Sequence, residues 1–326
     1  MEGVTIGAPL AFQIENRDHL KWRGKQVEPF TTPRPGHADL SGAIKYGYRD
    51  LRPALERASA RETSARVAVG AVCKHFLAQF GVRIGGYVVS IAEVQAELGE
   101  MPFAERFERA EASEVRCPVV QSSTAMAERI RRAMEERDTL GGVVEVIALG
   151  LPPGLGSYVQ WDRRLEGRLG AAALSVPAVK GVEIGPAFAN TRLAGTQVHD
   201  AIRLEGEELV RPTDRAGGLE GGVTNGAPLV VRAAMKPIAT TLTPQQTVDL
   251  ASGVETPTRY ERSDFCPVPR AVPILEGMVA FVLADALLEK LGGDSMDELR
   301  VRFALLRQTR LSDLPMDGEP HIFWPD

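Results

Sequence analysis

The stretch of this sequence that most constrains the fold is its longest apolar run, VPILEGMVAFVLADALL, from Val272 to Leu288. The run also contains two acidic residues, Glu276 and Asp285. A segment this short and this charged does not span a bilayer comfortably. The sequence therefore predicts a buried helix, and other parts of the chain must supply the surfaces that cover it.

Helical and extended patterns alternate ahead of this run. Residues 53–81 begin with Pro, end at Gly and are rich in small residues, which predicts one helix packed closely against another. Residues 82–91 predict a strand with a glycine bulge. Further helices are predicted at 123–140, 162–175 and 295–308, and further strands at 141–152, 178–185 and 228–235. No linker divides the chain, so we expect a single α and β domain over 1–326 with an irregular tail from about residue 311.

Composition and simple motifs exclude several function classes. The net charge of −5 argues against general affinity for nucleic acid or a membrane surface. Three widely separated cysteines are typical of reduced thiols in a cytoplasmic protein. Five histidines without an HExxH or CxxC pattern give no indication of a metal site. The N-terminus lacks the basic and apolar segments of a signal peptide.

The segment RPGHADLSGAIKY, residues 34–46, places His37 between a Pro-Gly turn and an aspartate. One interpretation is a capped turn that leads into a helix. The other is a proton donor in an anion site, where Gly36 allows close backbone approach and Arg34 supplies a cation. Asp39 either orients the imidazole ring or caps the helix that follows.

Arg57 and Arg61 are four residues apart, so on a regular helix they share one face. They either form a solvated face with neighbouring glutamates or fork onto a carboxylate or phosphate. Ser59 would point away from both arginines on such a helix. Either it serves a different ligand, or the backbone departs from α geometry at this point.

Two later segments have the composition of phosphate or cofactor loops. GGLEGGVTNG, residues 217–226, contains five glycines but matches neither a Walker loop nor a dinucleotide fingerprint. It is either a simple glycine-rich loop or a bare backbone held against something flat or anionic. KPIATT, residues 236–241, combines a lysine, a proline and two hydroxyls, which suits a phosphate clamp.

Arg262 and Asp264 alternate in ERSDFCPVPRA, so in an extended chain they share a side. They form a surface ion pair or a carboxylate tuned by an arginine. No GxSxG context or paired histidine supports a hydrolase triad. Taken together, the clusters suit an enzyme that binds two anionic molecules, at least one of them phosphorylated, with proton transfer between them.

These clusters, in this order, resemble the chorismate synthase family. The resemblance rests on residues 34–71, 175–185, 217–241 and 262–285 and covers the chain from TIGAPLAFQIENRD onward. It implies an α+β fold in which helices pack between antiparallel β-sheets, assembled as a homotetramer. It also implies a lyase that converts 5-enolpyruvylshikimate 3-phosphate to chorismate and phosphate with reduced FMN (FMNH2), its flavin reduced either by the protein itself with NADPH or by a separate flavin reductase.

The same resemblance implies the site residues. His37 corresponds to the histidine that protonates or stabilises the reduced flavin, and Asp264 to an aspartate near the flavin N5 that assists proton removal. The implied substrate contacts are Arg34, Ser59, Arg61 and Arg262. The implied FMN contacts are Arg57, Ala58, Ser59, Pro177, Ala178, Gly221, Lys236, Pro237, Ile238, Ala239, Thr240 and Arg262.

One departure from the family pattern concerns the N-terminus. Members of the family begin with a strand and a GESHG-like segment, several dozen residues before the TIGAPLA motif that stands at residue 5 here. That segment supplies a second catalytic histidine, and His19 lies in a different motif. We therefore expect an N-terminally truncated member. It is either a lyase that is fully active if the natural chain is longer, or a degenerate homologue that binds flavin or anions, or assembles, without turnover.

Overall fold

A computed structural model describes residues 3–261 and 263–324. Within these residues the α-helices are α1 (Asp39–Tyr46), α2 (Arg52–Arg57), α3 (Thr63–Ala78), α4 (Phe103–Glu111), α5 (Val120–Glu135), α6 (Leu165–Leu174), α7 (Ala187–Asn190), α8 (Gly195–Val198), α9 (Val268–Leu291) and α10 (Met296–Ala304). The strands are β1 (Arg83–Ile91), β2 (Val94–Gln95), β3 (Gly142–Leu149), β4 (Val179–Ile184), β5 (Arg203–Glu205), β6 (Glu208–Val210), β7 (Leu219–Glu220), β8 (Val223–Thr224), β9 (Leu229–Met235), β10 (Gln246–Asp249) and β11 (Val254–Pro257).

The apolar run forms most of α9, the central helix of the fold. Among the described residues α9 is the one helix long and apolar enough to cross a membrane, and 67% of its apolar window is buried inside the protein. It packs against α3 at a glycine pair, because a Cβ added to Gly70 would lie 2.2 Å from the Cα of Gly277. The predictions of a buried helix and of a small-residue helix contact are both confirmed.

Five strands form one antiparallel sheet in the order β2–β1–β3–β9–β4. Strand β9 lies between β3 and β4, and its last residue, Met235, pairs with Gly142 on one side and Val179 on the other. Helices α9, α3 and α6 share the main core with one face of this sheet. Helix α4 covers part of the other face, where Phe107 fills the space above Gly85. The pairing of β9 on both sides therefore fixes where this strand ends. The position of Lys236, the next residue, is set by the sheet.

The α+β class with antiparallel sheets is confirmed. In the described part of the chain α3, α6 and α9 lie on one face of the five-stranded sheet, α4 covers part of the other, and the remaining sheets are two-stranded ribbons. The predicted strands and the later helices form within a few residues of their expected bounds. From residue 311 to residue 324 the chain forms no helix or strand apart from one 3-10 turn at Leu311–Asp313.

Two local predictions were wrong. The helix predicted over 53–81 is broken, because Ser59 adopts an extended backbone (φ −65°, ψ 134°) between α2 and a 3-10 turn. The bulge in β1 lies between Val88 and Ser90, and not at the glycines. Gly85 is needed instead for side-chain packing, since a Cβ there would lie 2.4 Å from the ring of Phe107.

The N-terminal residues contribute little to the core. The first buried apolar side chain is Phe30. Before it, apolar side chains alternate along the chain and are exposed to solvent, namely those of Val4, Ile6, Leu10, Phe12 and Ile14. The described core is thus built by the chain from Phe30 onward.

Candidate active site

The Pro-Gly turn and the start of α1 hold a compact group of polar side chains. Gly36 adopts a left-handed conformation (φ +74°), and the His37 N–H donates to the Arg34 carbonyl at 3.2 Å. This turn brings the chain back so that Asp39, the first residue of α1, faces Arg34 and His37. The turn does lead into a helix, but the N-cap residue Ala38 makes no side-chain cap hydrogen bond. The proton-donor role of His37 stays a prediction.

Arg34 is buried and uses its guanidinium within the protein. Its Nε donates to Asp39 Oδ2 at 2.8 Å, and its Nη2 donates to Asp39 Oδ1 at 3.0 Å. Its Nη1 donates to Thr240 Oγ1 at 3.1 Å. Only 8% of the residue is exposed, so Arg34 joins α1 to the segment that follows β9. The prediction that Arg34 contacts substrate stays a prediction.

Asp39 is fully buried and lies 2.6 Å from His37 through Oδ1 and Nδ1. Burial alone raises the pKa of this carboxyl, but hydrogen bonds from His37 and Arg34 outweigh it and hold the pKa well below its usual value. Asp39 is therefore an ionised acceptor at neutral pH. Of the two roles expected for it, the structure shows ring orientation.

The segment Lys236–Thr241 meets this loop at the end of β9. The Lys236 N–H donates to the Ala178 carbonyl at 2.9 Å, and Lys236 Nζ lies 2.5 Å from the Gly36 carbonyl oxygen. On the other side, Ser263 Oγ donates to the Thr240 carbonyl at 3.3 Å. Four segments predicted to carry site residues, at 34–37, 177–178, 236–240 and around 264, therefore converge.

An open cavity of about 300 Å³ lies between the two loops. Its lining consists of Pro35, Gly36, Asp138, Thr139, Lys236, Pro237, Ile238, Ala239, Thr241 and Gln245. The surface combines one ammonium group, one carboxylate and three hydroxyl or amide side chains with apolar Pro, Ile and Ala surface. Polar groups beside apolar surface are the composition expected of a small-molecule site.

Three of these lining residues, Asp138, Thr139 and Gln245, were missed by the sequence analysis. Thr139 is held by a hydrogen bond from its Oγ1 to the Ile238 carbonyl at 2.8 Å. A signal for this contact was present in the glycine pair that follows. A Cβ at Gly141 would lie 2.3 Å from the Met235 carbonyl oxygen, so the two chains must approach closely here.

Asp264 lies near this group but is only half-buried. Its Oδ2 accepts a hydrogen bond from Arg270 Nη1 at 2.6 Å. Arg262, its predicted partner, lies outside the described residues. Burial raises the pKa of the neighbouring Cys266 thiol to about 11. The hydrogen bond from Arg270, six residues further along the chain, positions the Asp264 carboxylate.

The Arg57–Arg61 segment does not form the shared helical face that its spacing predicted. The helix ends at Arg57, and Ser59 Oγ caps the next turn by accepting from the Arg61 N–H at 3.3 Å. Arg61 is exposed and pairs with Glu56 at 3.1 Å. The second alternative for Ser59, a departure from α geometry, is therefore confirmed. Substrate or cofactor roles for Arg57, Ala58, Ser59 and Arg61 stay predictions.

Gly221 lies at the other end of β9 from Lys236. It sits in the tight turn between β7 and β8, and the chain then enters β9 at Leu229. Seven residues of strand separate the two ends, which corresponds to about 20 Å. The structure therefore does not bring Gly221 into the group around His37 and Lys236.

Comparisons with known proteins show which family this chain belongs to. A family model described as chorismate synthase matches residues 1–288. The chorismate synthase of Aquifex aeolicus is 51% identical over 321 residues, covering 92% of this chain and 80% of the relative. That of Syntrophotalea carbinolica is 52% identical over 308 residues, covering 91% and 79%.

A solved structure described as the crystal structure of chorismate synthase is 48% identical in sequence. It superposes with a TM-score of 0.71 and covers 82% of this chain and 75% of its own. The order of the motifs, the convergence of four of the segments at the end of β9 and these similarities lead to one conclusion: this chain belongs to the chorismate synthase family, whose members are lyases.

Proposed function

We propose that this protein converts 5-enolpyruvylshikimate 3-phosphate to chorismate and phosphate with reduced FMN as cofactor. The observation that carries the proposal is the contact between the His37 loop and the Lys236 segment in a member of this family. This contact places an imidazole, a buried ion pair and an ammonium that donates to the Gly36 carbonyl beside one cavity. These are the groups that a reaction between two phosphorylated anions requires.

The cavity residues fit a flavin mononucleotide. Lys236 offers an ammonium to the phosphate, and Pro237, Ile238 and Ala239 offer a flat apolar wall to a ring system. Gly36 is left-handed (φ +74°), which favours glycine, and it lies beside Lys236 Nζ and Ala239 at this end of the cavity. We propose that FMN is held by these residues together with Pro177, Ala178 and Thr240, and that Arg57, Ala58, Ser59 and Arg262 complete its site. Because Gly221 lies at the far end of β9, we propose that it contacts FMN only if the cofactor is extended or if a second chain supplies the glycine.

The reaction removes phosphate and a proton from two carbons that do not activate each other, with no net redox change. When bound, reduced FMN supplies an electron-rich ring that lends charge to the breaking C–O bond. The protein has to orient both anions, exclude water and handle the proton. We propose that His37 holds a proton beside the cofactor and that Asp264 accepts the proton that the substrate loses.

Substrate anions need cations that the protein has not already paired in its interior. Arg61 is exposed, and its pair with Glu56 is a surface pair of small energy. We propose that Arg61 exchanges this partner for a substrate anion and that Ser59 and Arg262 contribute with it. Arg34 differs, because its nitrogens already bond to Asp39 and Thr240. We propose that Arg34 supports the substrate site by holding Asp39 and Thr240 in place.

We propose further that the protein works in the cytoplasm as a homotetramer. Its flavin is reduced either by the protein itself with NADPH or by a separate reductase. Adding NADPH to the aerobic protein with FMN, and following NADPH absorbance, distinguishes these two sources of electrons.

An anaerobic assay with chemically reduced FMN tests the proposal. Chorismate and phosphate are expected in equal amounts, and His37→Asn is expected to lower the rate by about 10²–10⁴-fold. His75→Asn is the matched control, because His75 is exposed on α3. If FMN saturates the protein and no chorismate forms, the proposal is wrong and the protein binds flavin without turnover.

A further inference from the structure

The polar group around His37 contains a residue that neither the motif resemblance nor the proposed function assigns. Asp39 is fully buried, yet four hydrogen bonds reach its carboxylate. Oδ2 accepts from the Arg34 backbone N–H at 3.1 Å and from Arg34 Nε at 2.8 Å. Oδ1 faces Arg34 Nη2 at 3.0 Å and His37 Nδ1 at 2.6 Å. Every acceptor position of the carboxylate is therefore directed at a donor.

The contact with His37 decides which ring nitrogen carries hydrogen. An ionised carboxylate only accepts hydrogen bonds, so the short contact requires a hydrogen on Nδ1. The Arg34 guanidinium also only donates. Its Nη2 lies 3.0 Å from Nδ1 and 3.3 Å from Nε2, so with hydrogen on Nδ1 the lone pair of Nε2 is the one that can accept from it. Nε2 remains as the nitrogen that can gain or lose a proton.

The cluster also connects His37 to the cofactor segment. Arg34 balances the charge of Asp39, so the carboxylate can hold the ring without leaving an unpaired buried charge. The same guanidinium reaches Thr240 Oγ1, whose neighbours Lys236 to Ala239 line the cavity. The ring orientation of His37 is thus coupled, through two buried side chains, to the position of the cavity wall.

We propose that Asp39 is a positioning residue that keeps hydrogen on Nδ1 of His37, so that Nε2 is the nitrogen that exchanges the proton. Arg34 completes the unit by anchoring Asp39 to Thr240. The inference rests on the proposed function only for the step in which the proton is used. The tautomer itself is a property of the full chain without cofactor.

Asp39→Asn tests this assignment because the shape of the side chain is kept. Two Arg34 donors lie on the Oδ2 side and one, Nη2, on the Oδ1 side, so an amide oxygen on the Oδ2 side keeps more of these bonds and the amide nitrogen of the variant faces His37. An amide N–H only donates, which forces Nδ1 to become the acceptor and moves the ring hydrogen to Nε2. Asp50→Asn is the matched control. Its Oδ1 also accepts two backbone N–H bonds, from Phe30 and Arg52, but has no contact with His37 in the described residues.

The measurement is long-range proton–nitrogen correlation spectroscopy on full-length protein with ¹⁵N-labelled histidine and no FMN. The His37 signals are assigned by their loss in His37→Gln. At a pH where the ring is neutral, we expect hydrogen on Nδ1 in the wild type and in Asp50→Asn, and on Nε2 in Asp39→Asn. A wild-type ring with hydrogen on Nε2, or a folded Asp39→Asn with an unchanged tautomer, would falsify the proposal.

The wild-type spectrum decides the matter even if Asp39→Asn does not fold. Kinetics provide the second measurement. If Asp39 acts through His37, the variant loses about 10²–10⁴-fold in kcat with little change in KM, as expected for a proton-transfer group held in the wrong form. A large rise in KM with unchanged kcat would instead make Asp39 part of the substrate site and overturn its positioning role. If no chorismate forms even with the wild type, the proposed function fails while the tautomer result still stands.

Discussion

Strand β9 connects two regions that both allow close backbone approach, and each uses it differently. At its C-terminal end, Gly36 opens towards a cavity, and its nearest potential contact is the Lys236 ammonium. Near its N-terminal end, Gly218 and Gly222, one on each side of β7, press against the protein itself. A Cβ at Gly222 would lie 2.7 Å from the Ser157 carbonyl oxygen, and one at Gly218 would lie 2.6 Å from that of Pro228.

The difference separates glycines that serve the fold from glycines that leave room for a ligand. Most glycines of the GGLEGGVTNG segment are explained by packing within the chain, as the simple-loop alternative expected. Gly221 is the exception, because a Cβ there would meet nothing within 4 Å. It is therefore the one residue of that turn whose bare surface faces open space in the described chain. Four substitutions test this contrast.

The largest effect is expected at the C-terminal end, from Asp39→Asn. The substitution leaves the buried Arg34 without its counter-charge, which typically costs about 3–5 kcal/mol of unfolding free energy. Urea unfolding at neutral pH measures the loss. Asp50→Asn is expected to lose only about 1 kcal/mol, because its carboxylate caps backbone N–H groups near the surface. Equal losses in the two variants would mean that the buried pair adds nothing.

The pH dependence of this effect has a definite sign. The pKa of Asp39 is lower in the folded protein than in the unfolded chain, because hydrogen bonds from His37 and Arg34 outweigh the effect of burial. Its stabilisation is therefore complete above about pH 4 and is lost as the pH falls through the folded value. The gap between wild type and Asp39→Asn should narrow in acid, as followed by unfolding at a series of pH values. A gap that widens in acid would contradict this sign.

The next effect contrasts two neighbouring glycines at the N-terminal end. Both Gly221 (φ +62°) and Gly222 (φ +94°) are left-handed, so alanine strains the backbone at either position. At Gly222 the new methyl group also meets Ser157 and Arg164, so Gly222→Ala should cost about 2–4 kcal/mol and Gly221→Ala about 1–2 kcal/mol. Thermal and urea unfolding measure both. Equal costs would mean that the crowding around Gly222 relaxes freely.

Much of this fold follows from local sequence patterns. The apolar run gave the central helix, and alternating segments gave the strands, because both depend on residues near in sequence. The break at Ser59 was also encoded, since SARE at 59–62 has the spacing of a helix-capping box. The strong Ala-rich helical pattern on both sides of Ser59 predicted one continuous helix instead. A capping motif inside a helical run is therefore as strong an indication of a helix boundary as the run is of a helix.

The composition of the site was harder to predict than its motifs. Lys236 and Gly36 could be singled out by residue type, but their contact depends on β9 being paired on both sides. The placement of Gly221 at the far end of β9 depends on the same pairing, which no local pattern specifies. Thr139 and Gln245 come from segments with no motif at all. Prediction of the site was limited by the order of the strands in the sheet, which is non-local, and not by the chemistry of the residues.

The next prediction concerns FMN binding at the C-terminal end of β9. Lys236→Met keeps the apolar stem and removes the ammonium, so the affinity for FMN should fall by about 10- to 100-fold, as for the loss of one charge-assisted hydrogen bond. Lys180→Met is the control, since Lys180 is an exposed lysine of β4. Titration calorimetry with FMN compares the two. An unchanged affinity of Lys236→Met for FMN would mean that this cavity does not bind the phosphate of FMN.

The smallest effect tests whether the two ends of β9 share one ligand. Within one chain they are about 20 Å apart, so a cofactor bound at Lys236 does not reach Gly221 unless it is fully extended. We therefore expect Gly221→Ala to weaken FMN binding less than Lys236→Met does, in the same titration. If both variants lose affinity equally while Gly221→Ala stays folded, the two ends must meet on one cofactor. The nearest way to achieve this is a second chain whose β7–β8 turn closes over the cavity of the first.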